Sequence, residues 1–144
     1  MVCMIWFKKY TINEIESLVT SENILDLLGL EFTEVGEGFL KARLPVDKRT
    51  HQIHGILHGG ATCVLAETVG SFASLMCIDL DQKYAVGSQI NVNHLRPVES
   101  GYITATCSPV HIGRSKHVWD ILVHSDEGKL VAKCELTCAV IDKP

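Results

Sequence analysis

The feature that most constrains the fold is a long apolar stretch in the middle of the chain. Eighteen residues from Ala61 to Ile78 contain a single charged side chain, that of Glu67. A helix that is apolar on nearly every side is buried in a protein core. The stretch therefore predicts a buried helix over Gly60–Ile78, about 28 Å long at ~1.5 Å per residue.

After this stretch, the spacing of hydrophobic residues changes from the helical repeat of 3.6 residues to the two-residue alternation of strands. Alternating residues separated by glycine-containing turns predict four consecutive strands joined by hairpins, and two shorter strands precede the helix. The economical packing is an antiparallel sheet curled around the long helix, an α+β architecture. The predicted strands are Glu31–Val35, Gly38–Val46, Tyr84–Arg96, Tyr102–Ile112, Lys116–Ser125 and Lys129–Ile141.

The segment before the first strand predicts two short helices. Thr11 begins the first, in which apolar residues recur at helical spacing. Ser21 is positioned to cap the second, which ends at Gly29. No linker, repeat or low-complexity tract divides the chain, so residues 1–144 are expected to form one domain.

Charge and cysteine content exclude several classes of function. The net charge of −4 gives no reason to expect nucleic acid or an anionic membrane as a partner, because phosphate binding requires clustered Lys and Arg. The N-terminal apolar run precedes its lysines and is too short for a secretory signal or a membrane span. Six cysteines without a CxxC pair are expected to be buried thiols, and a cytosolic location follows.

A lone carboxylate in an apolar helix is costly as an ion. Desolvation is therefore expected to raise the pKa of Glu67. None of its neighbours one turn away carries a positive charge, and only Ser71 offers a hydrogen-bonding group on the same face. These surroundings disfavour a solvated, salt-bridged position and favour a catalytic one.

The segment leading into the helix supplies the other parts of an acyl-transfer site. Glycines after His58 leave backbone N–H groups, such as that of Gly60, open at the positive end of the helix dipole, where an oxyanion is stabilised. His58 adds a donor or a base, and the neutral amide of Gln52 is suited to polarise a carbonyl. With Glu67 as nucleophile or general base, these groups favour acyl transfer.

The two halves of this site are too far apart in one chain. Glu67 lies seven residues past Gly60, about 10 Å along the helix axis. One helix therefore cannot bring its N-terminus and its carboxylate to the same carbonyl. Two antiparallel copies in a two-fold dimer satisfy the distance, so an intersubunit active site is expected.

Three histidines offer an alternative, a metal site. His51, His54 and His58 are spaced at i, i+3 and i+7, and such histidines bind zinc when a helix holds them. Glycines at positions 55, 59 and 60 interrupt that helix, and no cysteine or carboxylate lies at a matching spacing. No metal and no other cofactor is therefore expected.

Several motifs in combination resemble one enzyme family. The segment HQIHGILHGGATCVLAETVGS, with NHLRPV and a later GR, is similar to the hotdog-fold acyl-CoA thioesterases of the phenylacetate and 4-hydroxybenzoyl-CoA (Arthrobacter-type) branch. The resemblance covers nearly the whole chain. It is strongest to bacterial members that act on aryl thioesters, namely the thioesterases that hydrolyse 1,4-dihydroxy-2-naphthoyl-CoA in menaquinone synthesis and those that proofread enterobactin synthesis. It implies hydrolysis of an aryl or acyl thioester to free acid and coenzyme A, in a homodimer with intersubunit active sites that pairs into a tetramer.

The resemblance also implies residue roles. Glu67 matches the family's catalytic carboxylate, and Ser71 matches the residue that holds the hydrolytic water. Gln52 and His58 match groups near the thioester carbonyl, where the Gly60 N–H is the oxyanion donor. Residues that match the coenzyme A path are Gly87, His94, Arg96, Gly113 and Arg114.

One departure from the family pattern concerns the acyl group. Where relatives carry an apolar pair such as Pro-Phe, this chain has Ile53-His54, so His54 is expected at the rim of the acyl pocket. A fatty acyl-CoA or a carrier-protein thioester is thus an alternative substrate. A non-enzymatic acyl-CoA sensor and a hotdog hydratase are further alternatives, although a hydratase requires an Asp/His pair and only His58 is present.

Overall fold

The architecture is an antiparallel sheet curled around one long helix, which confirms the predicted α+β hotdog fold. The computed structural model describes residues 4–19 and 22–144, and these contain three helices and six strands. None of the described helices combines the length and apolarity that crossing a membrane requires. The helices are α1 (Ile12–Glu16), α2 (Ile24–Leu28) and α3 (Gly59–Met76), and the strands are β1 (Glu31–Val35), β2 (Leu40–Pro45), β3 (Lys83–His94), β4 (Tyr102–Ile112), β5 (Lys116–Ser125) and β6 (Leu130–Asp142).

The strand order is β1-β2-β4-β5-β6-β3, and it corrects one prediction. The hairpins joining β4, β5 and β6 form as expected, but β3 pairs with β6 and not with its neighbour in sequence, β4. The reason is that β2 already occupies the second edge of β4. Residues 95–101 therefore cross the end of the sheet, where the Val98 carbonyl accepts from Leu57 N–H and the Gly101 carbonyl from Val46 N–H, both at 2.8 Å.

Helix α3 is buried along most of its length. It begins one residue before and ends two residues before the predicted bounds. Its apolar side chains pack against the inner face of the sheet, where burial of aliphatic and aromatic groups supplies the main stabilisation. A buried hydrogen bond from the Trp119 indole to the Ser74 hydroxyl, 2.7 Å long, ties β5 to the helix. The helix core positions are Ala61, Leu65, Ala66, Val69, Ala73 and Met76.

The two N-terminal helices begin and end on capping residues. Thr11 caps α1 through a capping box with Glu14, as its sequence predicts. The predicted cap of α2, Ser21, lies outside the described residues, and the cap that the structure describes is Asn23. Gly29 ends α2 in the left-handed conformation, with φ of 73°, which confirms the predicted stop.

The cysteines in the described part of the chain are free thiols, as predicted. Burial raises the pKa of Cys77 to about 12 and that of Cys134 to about 11. A high pKa keeps a thiol protonated and unreactive at neutral pH. The described thiols are the half-buried Cys63 and Cys77 and the buried Cys107, Cys134 and Cys138, whereas Cys3 lies outside the described residues.

A bulge divides edge strand β3 into two parts. The pairing with β6 passes from Gly87 opposite Cys138 to Gln89 opposite Thr137, so Ser88 has no partner residue. The Ser88 hydroxyl donates to the Thr137 carbonyl at 3.1 Å. An extra residue reverses the alternation of side chains along a strand. Odd-numbered residues therefore face α3 before the bulge, and even-numbered residues face it afterwards.

Candidate active site

Glu67 lies half-buried on α3 with its carboxylate against β3. A Cβ built on Gly87 would lie only 1.8 Å from Oε1 of Glu67, so the carboxylate rests on the bare Cα of this glycine. Burial raises the pKa of Glu67, in the direction that the sequence predicts. Within residues 4–19 and 22–144, no side chain or backbone group forms a hydrogen bond or an ion pair with this carboxylate. It is thus available to a substrate.

Glu67 and Ser71 open into an apolar groove that lies between α3 on one side and α2 with the residues before it on the other. The groove has a volume of about 350 Å³. Because the two residues are one helical turn apart, their polar groups stand side by side on this wall. The other lining residues are Leu18, Val19, Asn23, Ile24, Leu25, Thr68 and Phe72.

The N-terminus of α3 is formed by the His58-Gly59-Gly60 segment, with one correction to the sequence-based expectation. The Gly60 N–H is not open in the single chain, because it donates to Nδ1 of His58 at 2.7 Å. His58 is the N-cap of the helix, and a cap side chain satisfies a backbone N–H that has no partner within the helix. The Gly59 N–H has no acceptor among the described residues.

His94, at the end of β3, covers this helix terminus. A Cβ on Gly59 would lie 2.9 Å from Nε2 of His94, so the imidazole contacts the bare backbone of that glycine. Nearby, Nη1 of Arg96 donates to the Leu130 carbonyl at 2.8 Å. These groups border a cavity of about 400 Å³, lined by Ile56, Leu57, Gly59, Thr62, His94, Leu95, Arg96, Pro97 and Val131.

Gln52 and His54 lie in the loop that leads to α3. Oε1 of Gln52 accepts the backbone N–H of His54, and His54 is exposed and does not line the groove beside Glu67 of its own chain. Within one chain, His54 therefore does not lie at the rim of this groove, which is the position that the sequence predicts for it. Nε2 of His51 contacts the carbonyl of Glu99 at 2.9 Å, whereas Nδ1 of His58 accepts from the Gly60 N–H, so these two imidazoles have separate partners. In the described ranges, no three metal-ligating side chains come together.

The residues predicted along the coenzyme A path fall into two groups. Gly113 and Arg114 occupy the β4–β5 turn, which is level with Gly87 across the sheet. His94 lies at the far end of β3 and Arg96 just beyond it, and His94 is seven positions after Gly87. At ~3.3 Å per residue this is about 23 Å. One chain does not bring the two groups together.

Sequence reasoning missed two features of the site. The first is the contact between Gly87 and Glu67, for which an isolated glycine within a strand pattern was the available signal, since it marks a bulge or a close approach of backbone. The second is the contribution of α2 and the residues between α1 and α2 to the groove beside Glu67. No local signal indicates this contact, because it joins segments distant in sequence.

Proteins of known family are similar to this chain in sequence and in fold. The profile of the thioesterase superfamily matches residues 54–132, which is more than half of the chain. An esterase of Pseudomonas aeruginosa is 48% identical over 130 residues, covering 89% of this chain and 90% of that protein. The crystal structure of a Gln-to-Ala variant of the same protein, a thioesterase by its description, has a TM-score of 0.93 at 42% identity and covers 96% of this chain and 99% of that chain.

Two other proteins are similar along most of the chain. The 1,4-dihydroxy-2-naphthoyl-CoA hydrolase of Escherichia coli is 38% identical over 138 residues, covering 96% of this chain and 100% of that protein. A thioesterase of Staphylococcus aureus has a TM-score of 0.80 at 32% identity and covers 84% of this chain and 98% of that chain. Crystallised variants of the staphylococcal protein replace a glutamine and a glutamate fifteen residues apart, the separation of Gln52 and Glu67 here. The chain therefore belongs to the thioesterase superfamily and is a thioester hydrolase with the hotdog fold.

Proposed function

We propose that this protein hydrolyses acyl-CoA thioesters, with an aryl group of the 1,4-dihydroxy-2-naphthoyl or benzoyl type as the leading acyl group. The observation that carries the proposal is the half-buried carboxylate of Glu67, which has no hydrogen-bond or ion-pair partner among the residues that the structure describes and lies at the edge of an apolar groove in a member of this superfamily. The Escherichia coli relative supports the aryl class, because it is a hydrolase of 1,4-dihydroxy-2-naphthoyl-CoA. We also propose that the chain forms a single domain and that the protein is located in the cytosol.

Glu67 and Ser71 are suited to the chemical steps. A carboxylate with a raised pKa is a stronger base than an ordinary one, so Glu67 either removes a proton from water or attacks the carbonyl itself. Ser71 lines the same groove and offers a hydroxyl that can hold the water. In the general-base route, the C–S bond of the tetrahedral intermediate breaks and Glu67 returns the proton that it took from water, so coenzyme A leaves as the thiol and the free acid remains. In the nucleophilic route, C–S cleavage leaves an anhydride between Glu67 and the acyl group, and water then hydrolyses this anhydride to the free acid and supplies the proton that coenzyme A takes up.

The second half of the site is proposed to come from a partner subunit. β3 is a twelve-residue edge strand with most of its side chains exposed, and natural proteins cover such edges. Antiparallel pairing of two β3 strands about a two-fold axis between Ile90 and Asn91 places Gly87 opposite the partner subunit's His94. Glu67 then faces the helix N-terminus of the other copy, together with its Gln52 and His58.

Coenzyme A is proposed to approach along the crossover that follows β3. The cavity at His94 and Arg96 shares Arg96, Pro97 and Val131 with a polar groove of about 600 Å³. Arg96 offers a guanidinium that recognises phosphate in a bidentate manner. In the proposed dimer, Gly113 and Arg114 of one subunit lie at the same end as His94 of the other, and pairing of dimers yields the tetramer.

Thioesterase activity is tested with a panel of thioesters. We expect wild-type protein to release free thiol from benzoyl-CoA and dihydroxynaphthoyl-CoA faster than from acetyl-CoA or palmitoyl-CoA. Glu67→Gln, checked for folding by circular dichroism, is expected to lose at least 100-fold in kcat, in the range of an essential acid–base group. Wild-type rates in Glu67→Gln would refute the assigned role, and good turnover of fatty acyl substrates alone would refute the aryl class.

The intersubunit site is tested by mixing inactive subunits. Glu67→Ala and Gln52→Ala chains with different tags are coexpressed, and the mixed dimers each contain one intact site. Because half of a random population is mixed and half of its sites are intact, about a quarter of the wild-type activity should return. A site contained within one chain predicts no recovery.

A further inference from the structure

We propose that α2 and the residues between α1 and α2 form a wall of the acyl-binding site and select which acyl groups the enzyme accepts. This N-terminal wall consists of Leu18, Val19, Asn23, Ile24 and Leu25. The inference rests on the proposed function, because it takes Glu67 as the group that acts on the thioester carbonyl. It concerns the groove of about 350 Å³ that Glu67 shares with the N-terminal wall.

The position of the carbonyl limits where the acyl group extends. The acyl carbon chain or ring is bonded directly to the carbonyl at Glu67, so its first atoms lie within a few ångströms of the carboxylate. On one side of Glu67 the bare Cα of Gly87 leaves no space, and the following residues Ser88 and Gln89 are exposed and polar. On the other side the groove begins at Glu67 itself. An apolar substituent is favoured in the groove, where its surface leaves water.

The N-terminal wall supplies the aliphatic side chains of this groove. α3 contributes Glu67 together with two hydroxyl-bearing side chains and one aromatic ring, whereas the aliphatic groups come from α2 and from the residues between α1 and α2. Two of these groups stand open to solvent, since Leu18 is 38% exposed and Ile24 is 52% exposed. Apolar groups that line a concave site and remain accessible are the usual walls of a small-molecule pocket. The aliphatic set is Leu18, Val19, Ile24 and Leu25.

The chemistry of the lining indicates which part of the substrate enters. No Lys or Arg is among the lining residues, so the groove does not suit the phosphates of coenzyme A. Its polar side chains, apart from Asn23 on the N-terminal wall, come from the α3 wall around Glu67. A volume of about 350 Å³ lies at the lower end of the range for drug-sized ligands. The occupant we assign is the aryl or medium-chain acyl group of the substrate.

The N-terminal wall lies in a different part of the chain from the catalytic groups. The superfamily profile matches residues 54–132, so the N-terminal wall lies outside the segment shared across the superfamily. Glu67, Ser71 and the helix N-terminus lie within it. We therefore infer that changes in the N-terminal wall alter the preference between acyl groups more than they alter the chemical step.

The test compares variants of α2 on substrates that differ only in the acyl group. Leu25→Ala and Ile24→Ser remove lining side chains, and Leu27→Ala is the matched control, because Leu27 lies on the same helix, is 70% exposed and does not line the groove. We measure kcat/KM for acetyl-, hexanoyl-, decanoyl- and benzoyl-CoA. Each methylene that is buried corresponds to roughly a fourfold change in binding.

We expect the ratio of kcat/KM for decanoyl-CoA or benzoyl-CoA to that for acetyl-CoA to fall about tenfold in Leu25→Ala and in Ile24→Ser, and to stay within about twofold of wild type in Leu27→Ala. Equal losses on all substrates, or the same ratio change in Leu27→Ala, would overturn the inference while leaving the thioesterase proposal intact. Ile24 is half-exposed, so Ile24→Ser keeps the test valid if Leu25→Ala unfolds. Failure of the wild-type protein to hydrolyse any of the four thioesters would instead overturn the proposed function.

Discussion

The carboxylate of Glu67 lies directly on the Cα of Gly87, so a helix and an edge strand together fix the position of this carboxylate. A side chain at position 87 would occupy the space that Oε1 now fills. The bulge at Ser88, anchored by its bond to the Thr137 carbonyl, holds this part of β3 in place. Strand β3 therefore supports the carboxylate of Glu67 in addition to forming one edge of the sheet.

Replacing Gly87 by alanine is expected to displace the carboxylate and leave the fold intact. The new methyl group meets the end of a flexible side chain, so Glu67 rotates away while the backbone stays. A displacement of about 1 Å at a reacting group costs up to ~100-fold in rate, and we expect kcat to fall at least tenfold. Gly38→Ala is the control, because a Cβ there meets nothing within 4 Å. Full activity in Gly87→Ala would contradict the positioning role.

Glu67 is expected to reduce stability at neutral pH. Burial raises its pKa above the ordinary value of 4.5, so folding favours the protonated form, and that contribution is lost as the pH rises through the pKa of the folded state. Glu67→Gln should therefore have a higher Tm than wild type at pH 7.5, with a difference that shrinks as the pH is lowered toward 4.5. Differential scanning fluorimetry across this range measures it, and a pH-independent difference would show that ionisation is not the cause.

The buried bond between Trp119 and Ser74 is expected to stabilise the packing of the sheet on α3. Both side chains are fully buried, so Ser74→Ala leaves the indole N–H without an acceptor. Such an unpaired group costs about 1–3 kcal/mol, and the free energy of unfolding should fall by that amount. Urea denaturation measures the change, with exposed Ser100→Ala as the control. A loss equal to that of the control would mean that another group accepts the indole N–H.

His117 is expected to make the protein less stable below neutral pH. It is only 2% exposed, and its Nδ1 has no hydrogen-bond partner among the described residues. Burial lowers the pKa of His117 below its ordinary value of 6.5, against the opposing effect of a hydrogen bond to the Gly113 backbone. Its contribution to stability is therefore complete above pH 6.5 and is lost as the pH falls through the lowered pKa.

Replacement of His117 by leucine removes the titrating group. Between pH 7.5 and 5, the Tm of His117→Leu should decline less steeply than that of wild type, whatever its absolute stability. The same replacement at His124, which is only partly buried, shows the effect of removing a histidine from β5. Parallel slopes for wild type and His117→Leu would refute the assignment.

Much of the fold follows from local pattern. The bounds of β1, β4 and β5 match the prediction to the residue, because alternation and turn glycines act over a few neighbouring positions. The partner of β3 does not follow from such patterns. Which strand lies beside which depends on contacts between distant segments. Here β4 pairs with β2 on one side and with β5 on the other, so β3 cannot pair with β4.

The sequence by itself determined the central helix, the antiparallel strands and the unusual carboxylate of Glu67, since each is encoded in the spacing of apolar residues around it. Only the tertiary structure decided that Gly87 supports this carboxylate, that His58 caps the Gly60 N–H, and that α2 and the residues before it line the groove. The physical reason is that a bulge, a cap and a cavity depend on which surfaces meet in three dimensions. A one-residue shift in β3 would turn Gly87 away from the helix without any change in local sequence pattern.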